Sequence, residues 1–244
     1  MAVAFSGGVD STLLLYAARD VLGKENVFAL RGVSELVSQV ERNSAENVLA
    51  AMGVTAEERI ELALHPLIWP EFIANTADRC YFCKKRMYKS FLIEMEKAGC
   101  SALLDGTNVD DLKDSRPGLR AIHELSVKTP LLDAGLNKGD IRILARQFRL
   151  LNHDKHSNSC LATRFAQGTV VNAEGLRLVE KCESFLLSRD FIGCRVRPRG
   201  KDVILEVSGK DMERLATPPV RVEIIHFLQS TGFVRVLVDL TPRA

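Results

Sequence analysis

A short apolar stretch, Met1 to Phe5, runs directly into Ser6-Gly7-Gly8-Val9-Asp10-Ser11-Thr12 and then into a helical apolar pattern from Leu13 to Leu22 that stops at Gly23. Strand, glycine turn and helix in that order commit the chain to an α/β fold. Two glycines let the backbone approach a ligand closely. The helix N-terminal amides, with the Ser6, Ser11 and Thr12 hydroxyls, then make a cradle for phosphate oxygens. The Gly-Lys-Ser/Thr of a Walker A loop is absent, which argues against a γ-phosphate-transferring ATPase.

The pattern repeats downstream. Val27 to Leu30 reads as a second strand, Val37 to Met52 as a helix closed by Gly53, and Arg59 to Leu62 as a third strand. Tyr81 to Ala98 is a periodic helix with Asp78 as its predicted cap and Gly99 as its end, followed by a buried strand, Ala102 to Leu104. Strands alternating with helices predict a Rossmann-like parallel sheet covered on both faces. Lys113 to Pro130 breaks the rhythm with a polar loop and a short helix, and Lys138 to Phe148 is a helix capped by Asn137. After Arg164 the reading changes: a helix from Ala173 to Leu187, strands Cys194 to Arg197 and Val203 to Val207, a helix from Arg221 to Ser230 and a strand from Val234 to Leu240. The expectation is two domains, residues 1–164 and a small α+β domain, residues 165–244.

Charge narrows the function classes. Lys and Arg number 33 against 31 Asp and Glu. Up to Arg164 the count is 21 against 21, and beyond it 12 against 10, so neither part has the excess of a dedicated nucleic-acid binder. No apolar run approaches the roughly 20 residues that span a bilayer. The N-terminus has no basic segment followed by an apolar stretch, so the expected location is the cytoplasm, with no nucleic-acid or membrane partner. Six cysteines in a reducing compartment read as thiols, metal ligands or catalysts rather than disulfides.

Cys80-Tyr81-Phe82-Cys83 opens the Tyr81 helix, and cysteines three apart share one helix face, where their sulfurs can share a metal. Cys160 lies in the loop Ser157 to Arg164. Cys100, Cys182 and Cys194 fall in or beside regular elements and read as small buried hydrophobes. Trp69, between prolines, reads as a packed aromatic, and Tyr81, Phe82, Met87, Tyr88 and Phe91 as the apolar face of their helix. Arg195 and Arg197 alternate on a strand and project from one face of it. Lys155, near Cys160, is a candidate for stabilising pyrophosphate or AMP, or a plain surface lysine.

The loop Ser6 to Thr12 resembles the pyrophosphate loop of the ATP pyrophosphatases, which cut ATP between the α and β phosphates and place AMP on a carboxylate or carbonyl oxygen. The strings Asp105-Gly106-Thr107-Asn108, Arg116-Pro117-Gly118-Leu119, Pro130-Leu131, Lys138-Gly139-Asp140-Ile141-Arg142, Cys160 to Phe165 and Cys194 to Arg197 follow it in order. Together they resemble the LarE family, ATP-dependent sulfur transferases that make the nickel-pincer nucleotide cofactor of lactate racemase. Met1 stands almost on the first strand, where members carry a preceding helix.

The resemblance implies ATP and Mg²⁺ at Ser6, Gly7, Gly8, Asp10, Ser11, Thr12, Ser34 and Arg164, with Asp10 helping to hold the Mg²⁺ and Arg164 a candidate for lowering the Cys160 pKa. It implies a nicotinate-derived mononucleotide as substrate, its phosphate on Arg195 and Arg197, with Glu206 and Asp211 nearby. Glu124 and Glu183 match acidic positions near the family's active site and are candidates for acid/base work alongside Asp10 and Cys160. In some members one cysteine, matching Cys160, gives up its own sulfur. Others hold a 4Fe-4S cluster on three cysteines, matching Cys80, Cys83 and Cys160, with one iron open to a hydrosulfide from sulfide or another sulfur donor. Zinc with His153 or His156 and a redox dithiol are further readings. Family likeness also implies a homo-oligomer, a hexamer. Two other functions share these features: a tRNA thiolation enzyme, and a noncatalytic nucleotide or iron-sulfur regulatory module.

Overall fold

The computed structural model describes residues 1–113 and 117–243; Arg116 of the family-like string Arg116 to Leu119 lies outside them. The chain folds as two units, Met1–Phe72 with Thr76–Lys155, and Ile73–Asn75 with His156–Ala244.

The first unit is built on four parallel strands, β1 (Ala2–Ala4), β2 (Phe28–Val33), β3 (Arg59–Ala63) and β4 (Leu103–Leu104), in the spatial order β3-β2-β1-β4. Consecutive β1 side chains point to opposite faces, and the burial pattern follows this period. Val3 and Phe5 pack with Leu13, Leu14 and Leu15 of α1 (Val9–Leu22), Val48 and Leu49 of α2 (Gln39–Ala51) and Ile141 of α7 (Lys138–Gln147). Ala2 and Ala4 pack on the other face with Tyr88, Phe91 and Met95 of α4 (Arg79–Lys97) and Ile122 of α5 (Pro117–Glu124). Small α3 (Pro70–Ile73) and α6 (Pro130–Asp133) lie in the connections. The expected parallel α/β sheet with helices on both faces is therefore observed. Strand order reverses at β1 and β4, since β2 lies on one side of β1 and β4 on the other, and the crevice at such a switch is where sheets of this class take ligands.

The second unit has α8 (Ala173–Leu187), β5 (Arg195–Arg199), β6 (Asp202–Glu206), α9 (Gly209–Ala216), α10 (Pro218–Ser230) and β7 (Arg235–Val238). The strands form a small sheet, β5-β6-β7, antiparallel at the first pairing and parallel at the second. Cys182 and Leu186 of α8, Val196, Val203 and Leu205 of the sheet, and Ile224 and Leu228 of α10 make its core. Residues 73–75 join this unit through Asn75, fully buried at φ +46°, whose Nδ2 donates to the carbonyls of Ala166 and Thr169, each at 2.7 Å. Helix α9 was not legible in the sequence: only eight residues long, its periodic pattern is short beside the turn residues flanking it.

Among the described residues, no helix is long and apolar enough to cross a membrane.

Candidate active site

The glycine turn after β1 adopts the shape the sequence predicted. Gly7 has φ +76°, and a Cβ there would lie 2.5 Å from the Ala45 Cβ of α2, so neither the backbone nor the space admits a side chain. Gly8 is the extended N-cap of α1 and no side chain caps that helix. The Ser6 and Ser11 hydroxyls lie 3.1 Å apart, and Ser11 Oγ and Thr12 Oγ1 donate to the Gly8 carbonyl at 3.1 and 2.8 Å. The turn after β4 closes over this helix start, where a Cβ on Gly106 would come within 3.0 Å of the Ser11 nitrogen.

Charged groups converge on the loop from the start of α7 and the segment after it. Lys138 Nζ pairs with Asp10 Oδ2, while Asp10 Oδ1 is buried with no hydrogen-bond partner among the described residues. Burial raises the Asp10 pKa above its ordinary value, against the opposing hydrogen bond and charge of Lys138. Asn137 caps α7: its Oδ1 accepts from the Asp140 amide at 3.0 Å, and its own amide donates to Asp140 Oδ2 at 3.1 Å, which fixes the first turn that carries Lys138. Arg142 donates to the carbonyls of His153 and Lys155 at 3.0 and 2.7 Å and so fixes the following segment. Asn152 Nδ2 thereby reaches the Gly7 carbonyl at 3.1 Å and Thr12 Oγ1 at 2.9 Å, and Lys155 Nζ reaches the Gly7 carbonyl at 3.2 Å and Glu41 at 2.7 Å. Lys155 is thus part of the loop's surround rather than a plain surface lysine. Lys138 and Asn152 were not singled out from sequence. Their only signals were the family-like string Lys138 to Arg142 and an unremarkable asparagine.

Behind the crevice, Asp105 follows β4 and accepts hydrogen bonds from Tyr88 and from the Thr107 hydroxyl and amide, the last at 2.8 Å, with Lys84 at 3.5 Å. Burial alone would raise its pKa, but Lys84 and these donors together bring it below the ordinary value. Ser34 follows β2, and its hydroxyl accepts from the Leu36 amide at 3.4 Å.

Cys80 and Cys83 sit in the first turns of α4, Cys80 exposed and Cys83 partly so, and Cys160 of the second unit is also partly exposed. Cys100, Cys182 and Cys194 are buried, as their positions predicted, and none of the six is in a disulfide. Glu124 accepts from Lys85 at 2.6 Å and from the Tyr81 hydroxyl at 2.7 Å. These bonds hold its carboxyl below the usual range, which suits an ionised acceptor better than a general acid. Phe82 departs from its expected place on the apolar face: it is 39% exposed, because Tyr81, Tyr88, Phe91 and Met95 mark the buried stripe and residue 82 falls beside it. His153 is engaged at Nδ1 with the Leu150 carbonyl and at Nε2 with Asp154.

In the second unit, Cys160 caps a 3₁₀ turn, Leu161–Arg164. Arg164 is fully buried; its Nη1 donates to the Ser159 carbonyl at 3.0 Å and its Nη2 to Asn158 Oδ1 at 2.9 Å, while Glu183 takes the other edge of the guanidinium. Glu183 also accepts from the Val196 amide of β5 at 3.0 Å. Arg195 and Arg197 do share the face of β5 opposite core residue Val196. Arg197 is engaged with Glu206 and with the Thr163 carbonyl at 2.7 Å. Arg195 Nε is buried with no hydrogen-bond partner among the described residues, and burial followed by the charges of Arg243, Arg164 and Arg197 lowers its pKa to about 10. A guanidinium so crowded by its own kind favours an anion. Asp211 is buried at the start of α9, accepting from Ser208 Oγ at 2.7 Å, with Arg214 at 3.3 Å.

No protein-family model matches the chain. It is 33% identical over 98% of its length to the pyridinium-3,5-bisthiocarboxylic acid mononucleotide synthase of Lactiplantibacillus plantarum, covering 84% of that protein. An uncharacterized protein of Synechocystis is 31% identical over 98% of the chain and 87% of its own length. Another from Methanocaldococcus jannaschii is 29% identical over 98% of the chain and 88% of its own length.

Proposed function

Because this chain belongs to the LarE family of sulfur transferases, we propose that it adenylates a pyridinium carboxylate of a nicotinate-derived mononucleotide and converts it to a thiocarboxylate for nickel-pincer nucleotide synthesis. The observation that carries this reading is the loop Ser6 to Thr12: a glycine-backed, uncapped helix N-terminus with Lys138, Asn152 and Lys155 converging on it. Such a cradle suits the polyphosphate of ATP.

The family implies Mg²⁺ and an iron-sulfur cluster, and Asp10 suits the first. Asp10 has one buried carboxylate oxygen without a partner, as a Mg²⁺ ligand requires, and Mg²⁺ bound there would offset phosphate charge. Cys80 and Cys83 lie one turn apart on α4, and Cys160 is a third accessible thiol; no three metal-ligating side chains are gathered among the described residues, so the cluster reading rests on the family resemblance and on thiol donor chemistry, and a cluster held there would supply hydrosulfide. The carboxylate oxygen of the substrate attacks the α-phosphorus of ATP and pyrophosphate leaves. The resulting acyl adenylate replaces an oxide leaving group with AMP. A sulfur nucleophile then attacks the acyl carbon, AMP departs, and the thiocarboxylate remains. Lys138 and Lys155 stabilise the departing pyrophosphate, Arg195 takes the substrate phosphate, and Arg197 is oriented by Glu206. Arg164 and Glu183 hold the Cys160 loop rather than ATP.

If the sulfur is sacrificial, the Cys160 thiolate attacks the acyl adenylate and forms a thioester. Loss of the Cα proton then expels the thiocarboxylate and leaves dehydroalanine. The test is pyrophosphate release from ATP with pyridinium-3,5-dicarboxylate mononucleotide, together with iron and acid-labile sulfide analysis of anaerobically purified wild type and Cys83→Ala. Substrate-dependent pyrophosphate and a thiocarboxylate product are expected. Absence of both overturns the function. About four irons per chain, lost in the variant, support the cluster; no iron after reconstitution, with loss of one H₂S from Cys160 per turnover, supports the sacrificial route.

A further inference from the structure

One face of α4, which includes Cys83, carries a ring and cations that the chemistry above does not use. Against it lies a cavity of about 250 Å³ whose walls are Trp69 and Phe72 from the preceding connection and Phe82, Cys83, Arg86 and Lys89 from the helix, with Lys85 and Glu71 at its edge. Residues 82, 86 and 89 recur at helical spacing, so one stripe of α4 supplies both an aromatic ring and two cations.

The lining has two distinct characters. Phe72 is 1% and Trp69 9% exposed, so the cavity has a firm aromatic wall. The Arg86 guanidinium lies 5.2 Å from the Trp69 ring centroid and is held there partly by Glu71 at 3.4 Å, a pair half-open to solvent on both sides. Lys85 is turned to Glu124 and the Tyr81 hydroxyl. Lys89 has no carboxylate partner among the described residues. With Lys85 paired to Glu124 and Arg86 to Glu71, Lys89 is the lining cation left without a carboxylate among the described residues, and its charge stands at the rim next to apolar walls.

We propose that this cavity binds a small amphipathic organic anion, with its carboxylate at Lys89 and Arg86, its apolar or aromatic body against Trp69, Phe72 and Phe82, and the Cys83 sulfur in contact range of the occupant. An inorganic anion would leave the aromatic wall unused, and a neutral apolar molecule would leave the cations unmatched. The volume lies just below the range of drug-sized sites, so the occupant is small. This goes beyond the sulfur-transferase reading and needs neither ATP nor a sulfur source.

Trp69 is the only tryptophan of the chain, which makes its fluorescence a reporter of this cavity alone. The full-length protein as isolated is titrated with 3-phenylpropionate and, in parallel, with 3-phenylpropanamide, which has the same shape without the charge. The carboxylate is expected to saturate the signal with at least about tenfold higher affinity than the amide. In Lys89→Gln/Arg86→Gln, two exposed positions whose replacement leaves the helix intact by circular dichroism, the affinities for acid and amide should converge. Equal affinities in the wild type, no saturable change, or undiminished preference in the double variant would each overturn the proposal. Pyrophosphate release is read separately, so either reading can fail without the other.

Discussion

Glu183 grips Arg164 along one edge of the guanidinium, Oε1 to Nε at 2.8 Å and Oε2 to Nη2 at 3.1 Å. The other edge of the same guanidinium holds the loop of Cys160 through the Ser159 carbonyl and Asn158. Arg164 is 1% exposed at the side chain and Glu183 14%. One buried ion pair thus connects α8 to the loop that carries Cys160.

Removing one partner of such a pair leaves a buried charge uncompensated, which costs about 3 kcal/mol or more. Glu183→Ala should lose that much in urea denaturation, and thiocarboxylate formation should fall although Cys160 is intact. A loss under about 1 kcal/mol would show that the pair does not hold the loop.

Gly7 is constrained twice, by φ +76° and by Ala45 at 2.5 Å from its absent Cβ. Gly7→Ala should destabilise the chain by about 1–3 kcal/mol and weaken ATP binding measured by calorimetry. Adding Ala45→Gly removes the clash but not the strain, so it should restore only part of the stability. Complete restoration would mean that backbone conformation contributes nothing.

Asp10→Asn keeps the size of the side chain and its bond to Lys138 while removing the charge. Pyrophosphate release should drop by about a hundredfold or more, and Mg²⁺ should no longer strengthen ATP binding. An unchanged Mg²⁺ dependence would exclude Asp10 as a metal ligand.

Cys194 is buried in the core of the second unit. Burial first, then the charge of Glu183, pushes its thiol up from 9.0 to about 12, against Arg164 and Arg243. A raised folded-state value means that its contribution is fully present below about pH 9 and is lost as pH rises toward 12. Thermal unfolding followed between those limits should show a steeper fall in Tm for wild type than for Cys194→Ala. Parallel slopes would refute the assignment.

Much of this was readable from local chemistry. The glycine turn, the alternation of strands and helices, the Asn137 cap and the burial of Cys100, Cys182 and Cys194 each depend on neighbours within a few residues. The pairing of Lys138 with Asp10, 128 residues apart, has no such local signal. Nor does the reach of Asn152 to Gly7, or the engagement of Arg197 by Glu206 from the adjacent strand. The resemblance marked Arg164 as a candidate for holding AMP or lowering the Cys160 pKa, and its contact with Glu183, 19 residues on, has no local signal either.

By itself, then, the sequence determined the fold class and the strand, glycine turn and helix of residues 2–22, because periodicity, glycine conformation and helix capping act over short separations. Tertiary structure decided which charges meet: among the described residues Asp10 Oδ1 and Arg195 Nε have no hydrogen-bond partner, whereas Arg164 meets Glu183 and Asp211 meets Ser208. The physical reason is that a charged side chain reaches several ångströms in any direction, and only burial and the packing of distant segments determine what it meets.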